Sequence, residues 1–270
     1  FSITFHIFSM SALFHSGVYQ PIYNLLVFLY DIIPGGDFGI AIIIATLLLK
    51  TALFPLSQKQ IESQKKMQEI QPKIKELQKK HKGDREKQSR AMMEFYKENK
   101  INPLSGCLPL ILQLVVLIAI YRVLFNISNA GFSVSTEDLY GFISNPGDIH
   151  RFFVGILDLS KPSILLAATT AFAQYYQMKM IMDQRKEDQT PEKSAPTKNQ
   201  KSPEEPDFSQ IMTKQMLYIG PGITLFFGIT FPSGLALYWL VSTLFMIAQQ
   251  RYLLKKTAQK KQPVLLRKSS

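Results

Sequence analysis

Cysteine and histidine are scarce in this chain, and their scarcity excludes several chemistries at once. Its 270 residues include one cysteine, Cys107, so neither a disulfide framework nor a cysteine-based metal site can be built. His6, His15, His81 and His150 all lie outside the long apolar runs, which removes any histidine-centred catalytic or metal cluster at membrane depth. Those runs contain no aspartate, and Ser233 and Ser242 have no histidine at their depth, so an intramembrane protease would lack its catalytic pair. No GxxxxGK phosphate loop is present, which leaves nucleotide hydrolysis without a site. No ten-residue alternating pattern supports a membrane barrel. Lysine and arginine are absent from the first 37 residues. The expectation is a protein that is not an enzyme and takes no cofactor or metal.

What the chain does have is apolar length and basic charge, arranged in blocks. It is 46% hydrophobic with a formal charge of +11, but the charges avoid long stretches and crowd others. A soluble protein this basic would suggest nucleic acid; block alternation instead suggests apolar spans joined by solvated loops. A bilayer-crossing helix needs about 20 mainly apolar residues. Segments 38–57, 103–127, 162–182, 211–231 and 233–252 meet that need, and only Pro232 separates the last two. Because open backbone cannot be left unpaired in lipid, the spans are helices. The fold class expected is an all-α membrane protein: five core transmembrane helices, a cytoplasmic two-helix hairpin and an outer interfacial helix.

Orientation follows the positive charge. Segments 58–102, 183–210 and 251–270 hold 25 lysines and arginines, whereas 1–37 and 128–161 hold 2, Arg151 and Lys161. Five spans then put the N-terminus outside and the basic tail 253–270 in the cytoplasm, in a cell membrane. Residues 1–37 form an outer segment whose Tyr19–Ile33 run, broken by Pro34-Gly35-Gly36, is too short to span and reads as an interfacial helix. Residues 1–16 fit the remnant of a removed signal or anchor segment. Residues 128–161 form an outer loop, and 183–210 a cytoplasmic linker rich in Pro, Ser, Lys and Glu.

Within 58–102, Met67, Ile70, Ile74 and Leu77 recur at three- and four-residue steps and make one narrow apolar stripe. Lys82-Gly83-Asp84 breaks the helix, with Asp84 as N-cap of a second that faces Met92, Met93 and Tyr96 one way. Pro72 should kink the first. Two such helices pack antiparallel, either as a charged loop that only fixes topology or as a contact surface for a nascent chain.

Several strings resemble the YidC family of bacterial membrane-protein insertases. They are Lys50-Thr-Ala-Leu-Phe-Pro55-Leu, Ile70-Gln71-Pro72-Lys73-Ile74, the Met92–Lys97 stretch, Asn102-Pro-Leu-Ser-Gly-Cys107 with Pro109–Gln113, and Phe231-Pro-Ser-Gly-Leu235 with Leu237-Tyr-Trp239. They are spread over roughly 38–255. The resemblance implies five helices around a polar groove open to cytoplasm and lipid and closed on the outer side. It implies a cation in that groove from the first core span, usually arginine; Lys50 stands at the matching position, without the planar fork that grips a carboxylate twice. The short outer loop suggests the compact form, without a large outer domain. Implied partners are nascent membrane proteins, the lipid bilayer, the ribosome through tail and hairpin, and the Sec translocon, with activity as a monomer.

The groove residues expected on this basis are Lys50, Gln113, Gln174, Gln177 and Trp239, with Gln71, Pro72, Lys73, Met92 and Tyr96 as the hairpin contact. Lys50 lies about 18 Å past Phe38 along a helix, in the cytoplasmic half of the bilayer. Either it snorkels to the headgroups or it faces the bundle with polar company from Thr46 and the glutamines. Gln113 also reads as hydrogen-bond glue between helices. Trp239 and Met246 read as an adaptable groove wall or as ordinary packing. The basic tail reads as a headgroup-binding topology signal or as a contact for ribosomal RNA. An ion or solute transporter is the alternative function, with Gly220-Pro221-Gly222 as its one candidate helix break.

Overall fold

Apolar runs of this length satisfy their backbone only internally, and the computed structural model is accordingly mostly helix. It describes residues 11–99, 108–188 and 208–266. The Asn102–Cys107 string and most of the 183–210 linker lie outside the described residues. The chain forms two compact units: Phe1–Ala52 with Val115–Lys179 and Phe208–Ser270, and Leu53–Leu114 with Met180–Asp207.

In the first unit a π-helical turn, His15–Tyr19, leads into α1, Gln20–Ile32, which has Pro21 in its first turn. The expected interfacial helix is more than a surface layer. Seven of its 13 residues are buried, among them Tyr23, Leu26 and Val27. It stops where Pro34-Gly35-Gly36 turns the chain, with both glycines at positive φ. Asp37 then starts α2, Phe38–Ala52, by accepting the Ile40 N–H at 3.0 Å. Phe38, Ala41, Ile42, Ala45 and Thr46 form the buried face of α2, at helical spacing. That face packs on α1 and on the long last helix. Its alanines let backbones approach closely.

In the second unit, α3, Phe54–Lys80, begins with Pro55 in its first turn, and α2 has already ended at Ala52. The apolar run 38–57 is thus divided between two helices at Leu53. Position 72 lies inside α3, which is one helix from end to end. α4, Arg85–Glu98, is capped by Asp84, whose carboxylate accepts the Lys87 N–H at 3.0 Å. That bond holds the Asp84 carboxyl below the usual range. Gly83, at φ +101°, makes the reversal between them. α3 and α4 pack together, and the Gln78 amide reaches the Met92 sulfur at 3.6 Å.

Four further helices and two short strands complete the described chain. α5, Leu108–Asn129, buries Ala119, Ile120, Val123 and Ile127, while Ile111, Leu114 and Phe125 stay exposed. A two-residue antiparallel ladder follows, β1 Phe152–Phe153 with β2 Leu157–Asp158. α6 is Ile164–Asp188, and α7, Phe208–Thr230, contains Pro221. α8, Ser233–Leu266, continues well past the expected end at 252, because the first part of the basic tail is built from Lys, Gln and Ala, all good helix formers.

Among the described helices, Ile111–Asn129 alone is long and apolar enough to cross a bilayer unaided; α2 qualifies only when read on into the start of α3. The surface is nevertheless strongly apolar. Leu165, Phe172, Tyr218 and Phe226 are 61–77% exposed, while Thr46, Thr170, Thr224, Ser242 and Thr243 are buried. Such an inverted distribution is what lipid, rather than water, permits around a helix bundle.

Candidate functional site

Lys50 sits on α2 one turn beyond Thr46 and two beyond Ile42, on the face those buried residues define. Leu47, Leu48 and Thr51 point the other way and are exposed, whereas Lys50 is half-buried. Thr46 does not offer its hydroxyl outward: it donates to the Ile42 carbonyl of its own helix at 2.6 Å. The register therefore places the lysine stem on the packed side of α2, not on its outward side.

α6 supplies a polar stripe. Thr170, Gln174 and Gln177 follow at i, i+4 and i+7, one face of the helix. Thr170 is buried and donates to the Leu166 carbonyl at 2.6 Å and the Ala236 carbonyl of α8 at 3.4 Å. The Gln174 carbonyl accepts from the Thr224 hydroxyl of α7, and a Cβ added at Gly220 would touch its amide. Gln177 is half-buried on the same stripe. Close approach of α6 and α7 is set by Gly228, where a Cβ would lie 2.6 Å from that of Ala167. Further along, Arg251 of α8 lies over the Tyr176 ring, 5.4 Å from its centroid, and donates to its hydroxyl.

Trp239 is half-buried on α8, with its ring 6.4 Å from Phe227. Phe227 stacks on Phe231 at 5.4 Å, and Phe231 meets Tyr121 edge-on at 5.3 Å, an aromatic ladder that joins α8, α7 and α5. Gln113 lies in the second compact unit, half-buried on α5. The hairpin residues also belong to that unit. Gln71 and Pro72 lie within α3, Lys73 is exposed, and Met92 and Tyr96 are half-buried on α4. Burial pushes the Tyr96 phenol up.

The segment 130–163 is far more ordered than its loop-like composition suggests. Asn24 of α1, 2% exposed, donates to the Gln20 and Asp138 carbonyls and accepts the Tyr140 N–H. The Tyr23 hydroxyl donates to the Ser135 carbonyl at 3.0 Å, and desolvation raises its pKa to about 12. The Tyr30 hydroxyl accepts the His150 N–H at 2.9 Å. At the start of α8, the Ser233 and Gly234 N–H groups donate to the Lys161 and Leu159 carbonyls, which satisfies first-turn donors that a helix leaves open. Thr170, Thr224 and Asp37 were not singled out from the sequence. The i, i+4 step from Thr170 to Gln174 and the acid just before Phe38 are the signals that would have found them.

Residues 28–261 match the family described as 60Kd inner membrane protein. Among curated relatives, the chain is similar to the membrane protein insertase YidC of Pelobacter propionicus, at 33% identity over 87% of this chain and 38% of that one. The Citrifermentans bemidjiense insertase of the same name is 36% identical over 88% and 37% respectively. That of Wolinella succinogenes is 34% identical over 90% and 38%. The chain thus spans less than two fifths of the length of these relatives.

Proposed function

Because the chain belongs to the 60Kd inner membrane protein family, we propose that it is a membrane protein insertase, which helps newly made proteins enter and fold in the cytoplasmic membrane. The observation that carries this reading is Lys50, half-buried on the packed face of an apolar helix. A cation there attracts acidic residues of an incoming polar tail, and a polar pocket reaching partway into the bilayer shortens the tail's path through hydrocarbon. The Thr170–Gln174–Gln177 stripe suits a wall of that pocket, with Trp239 a further lining residue. As the tail passes, the substrate's apolar segment leaves sideways into lipid, and its burial supplies the driving force.

The finer topology is part of the proposal. Five spans, at 38–57, 103–127, 162–182, 211–231 and 233–252, place the hairpin and tail in the cytoplasm and 128–161 outside. The uneven distribution of lysine and arginine supports it. Gln71, Pro72, Lys73, Met92 and Tyr96 would meet the nascent chain, and Met93, 54% exposed beside Met92, supports an adaptable apolar contact there. Ribosome contact through the basic tail, association with the Sec translocon and action as a monomer belong to the same proposal. The quoted relatives are named insertases, which leaves the transporter alternative without support.

The test is reconstitution of the chain in liposomes. It should raise insertion of small single-span proteins with acidic outer tails above the level of empty liposomes. No gain would remove the proposal.

A further inference from the structure

We propose that the β1–β2 hairpin is a lipid anchor, with its tip in the acyl boundary of the outer leaflet and phospholipid headgroups at its base. The outer position rests on the topology proposed above. The tip, Val154-Gly155-Ile156, is strained and apolar together. Val154 has φ +52°, a region β-branched residues avoid, and it is 61% exposed; Ile156 is 86% exposed. Two contacts hold the tip in this shape. The Asp37 carboxylate that caps α2 also accepts the Val154 N–H at 2.6 Å. The Phe153 ring fills the space that a side chain at position 39 would need, so the hairpin is seated on the first turn of α2. A backbone constrained to present a valine and an isoleucine outward is built for an apolar medium.

Charge and position name that medium. At the hairpin base Arg151 and Lys161 share one carboxylate, Asp158, at 3.8 and 3.9 Å, which leaves an excess of positive charge. Beside them opens a cavity of about 580 Å³ lined by His150, Arg151, Phe152 and Ser160 among others. The Arg151 guanidinium on its wall suits a headgroup phosphate, and the space suits its glycerol or amine. Three residues after Lys161, α6 begins with Ile164 and Leu165, 75% and 77% exposed, so the base of the hairpin leads directly into a helix whose first turn is apolar and exposed. An apolar tip with cations just behind it matches the two layers of a leaflet.

The full chain carrying Cys107→Ser and Ile156→Cys, labelled at 156 with an environment-sensitive fluorophore, tests this in liposomes of neutral or phosphatidylglycerol-containing lipid. Thr136→Cys, on the same segment, serves as the aqueous control. Label at 156 should emit blue-shifted and be quenched by spin-labelled lipid about threefold more than label at 136. Anionic lipid should increase that difference, and Lys161→Gln should reduce the increase. Iodide quenching at 156 equal to that at 136 in both lipids would overturn the anchor. So would protection from iodide without lipid quenching, which would mean a protein contact. Val154→Cys repeats the measurement if Ile156→Cys does not reconstitute. The readout is independent of insertion: an aqueous tip on an active insertase sinks only the anchor, whereas a buried tip on an inactive chain sinks only the function.

Discussion

A lysine at the centre of a membrane helix costs on the order of 3 kcal/mol to insert, so a lysine set within an apolar run needs polar surroundings to offset its charge. The register of α2 argues against simple snorkelling, since Leu47, Leu48 and Thr51 occupy the outward side and Lys50 follows Thr46. One charge pair at an intermediate dielectric amounts to roughly 1–2 kcal/mol, or about tenfold in rate. Lys50→Ala should therefore slow insertion of acidic-tailed substrates about tenfold while neutral-tailed ones change less than about twofold. Lys50→Arg should retain both activities. Equal loss on both substrate types would assign Lys50 to the fold instead. A second residue-scale prediction concerns Gly228, where a methyl group would run into Ala167. Forcing α6 and α7 apart costs about 1–3 kcal/mol, and it also pulls Thr224 from Gln174. Gly228→Ala should lower the thermal midpoint of the reconstituted protein, and Ala167→Gly in the same chain should recover most of the loss.

The elements whose order comes from their own sequence were the legible ones. Long apolar runs announced helices, and Asp84 after Lys82-Gly83 announced the cap of α4. Segment 130–163 was not legible, because its order is borrowed. Asn24 meets Tyr140 and Tyr23 meets Ser135 across more than a hundred residues, which no local pattern encodes. The site divides the same way. Lys50 stood out as a charge in an apolar run, whereas the partner of Gln174, Thr224, lies on another helix 50 residues on and its sequence looks like any other span. Borrowed order has a pH dependence. Burial raises the Asp158 carboxyl, but hydrogen bonds from the Ser160 hydroxyl and N–H, with Arg151 and Lys161 nearby, bring it below the usual range. A depressed carboxylate stabilises the fold above its unfolded value, about pH 4, and that stability is lost as pH falls through the native value. The thermal midpoint should therefore fall at pH below about 4, and Asp158→Asn should have a lower midpoint at pH 7 and a flatter acid decline.

At the scale of the whole chain, the main apolar cluster among the described residues is built within one of the two compact units. Its members run from Tyr19 through α1, α2, α5 and the 130–163 segment to Tyr238 of α8. The α3–α4 hairpin has its own thin stripe, in which Ile74 is buried and Met67, Ile70 and Leu77 are half-buried. A unit with an apolar stripe of its own can be altered without unfolding the other. Replacing residues 76–90, which lie at the far ends of α3 and α4, with a short Gly-Ser link should therefore leave the thermal midpoint within about 2 °C. Insertion of single-span substrates should fall, because without the turn and the Gln78–Met92 contact the two helices no longer present Gln71, Pro72, Lys73, Met92 and Tyr96 as one surface, while Lys50 and the polar stripe remain. Differential scanning fluorimetry and the liposome assay on one preparation separate the outcomes. A midpoint lowered by more than about 5 °C would mean that the hairpin carries stability for the bundle. An unchanged midpoint with full insertion would remove the distal hairpin from the path of the nascent chain and leave the work to the membrane unit alone.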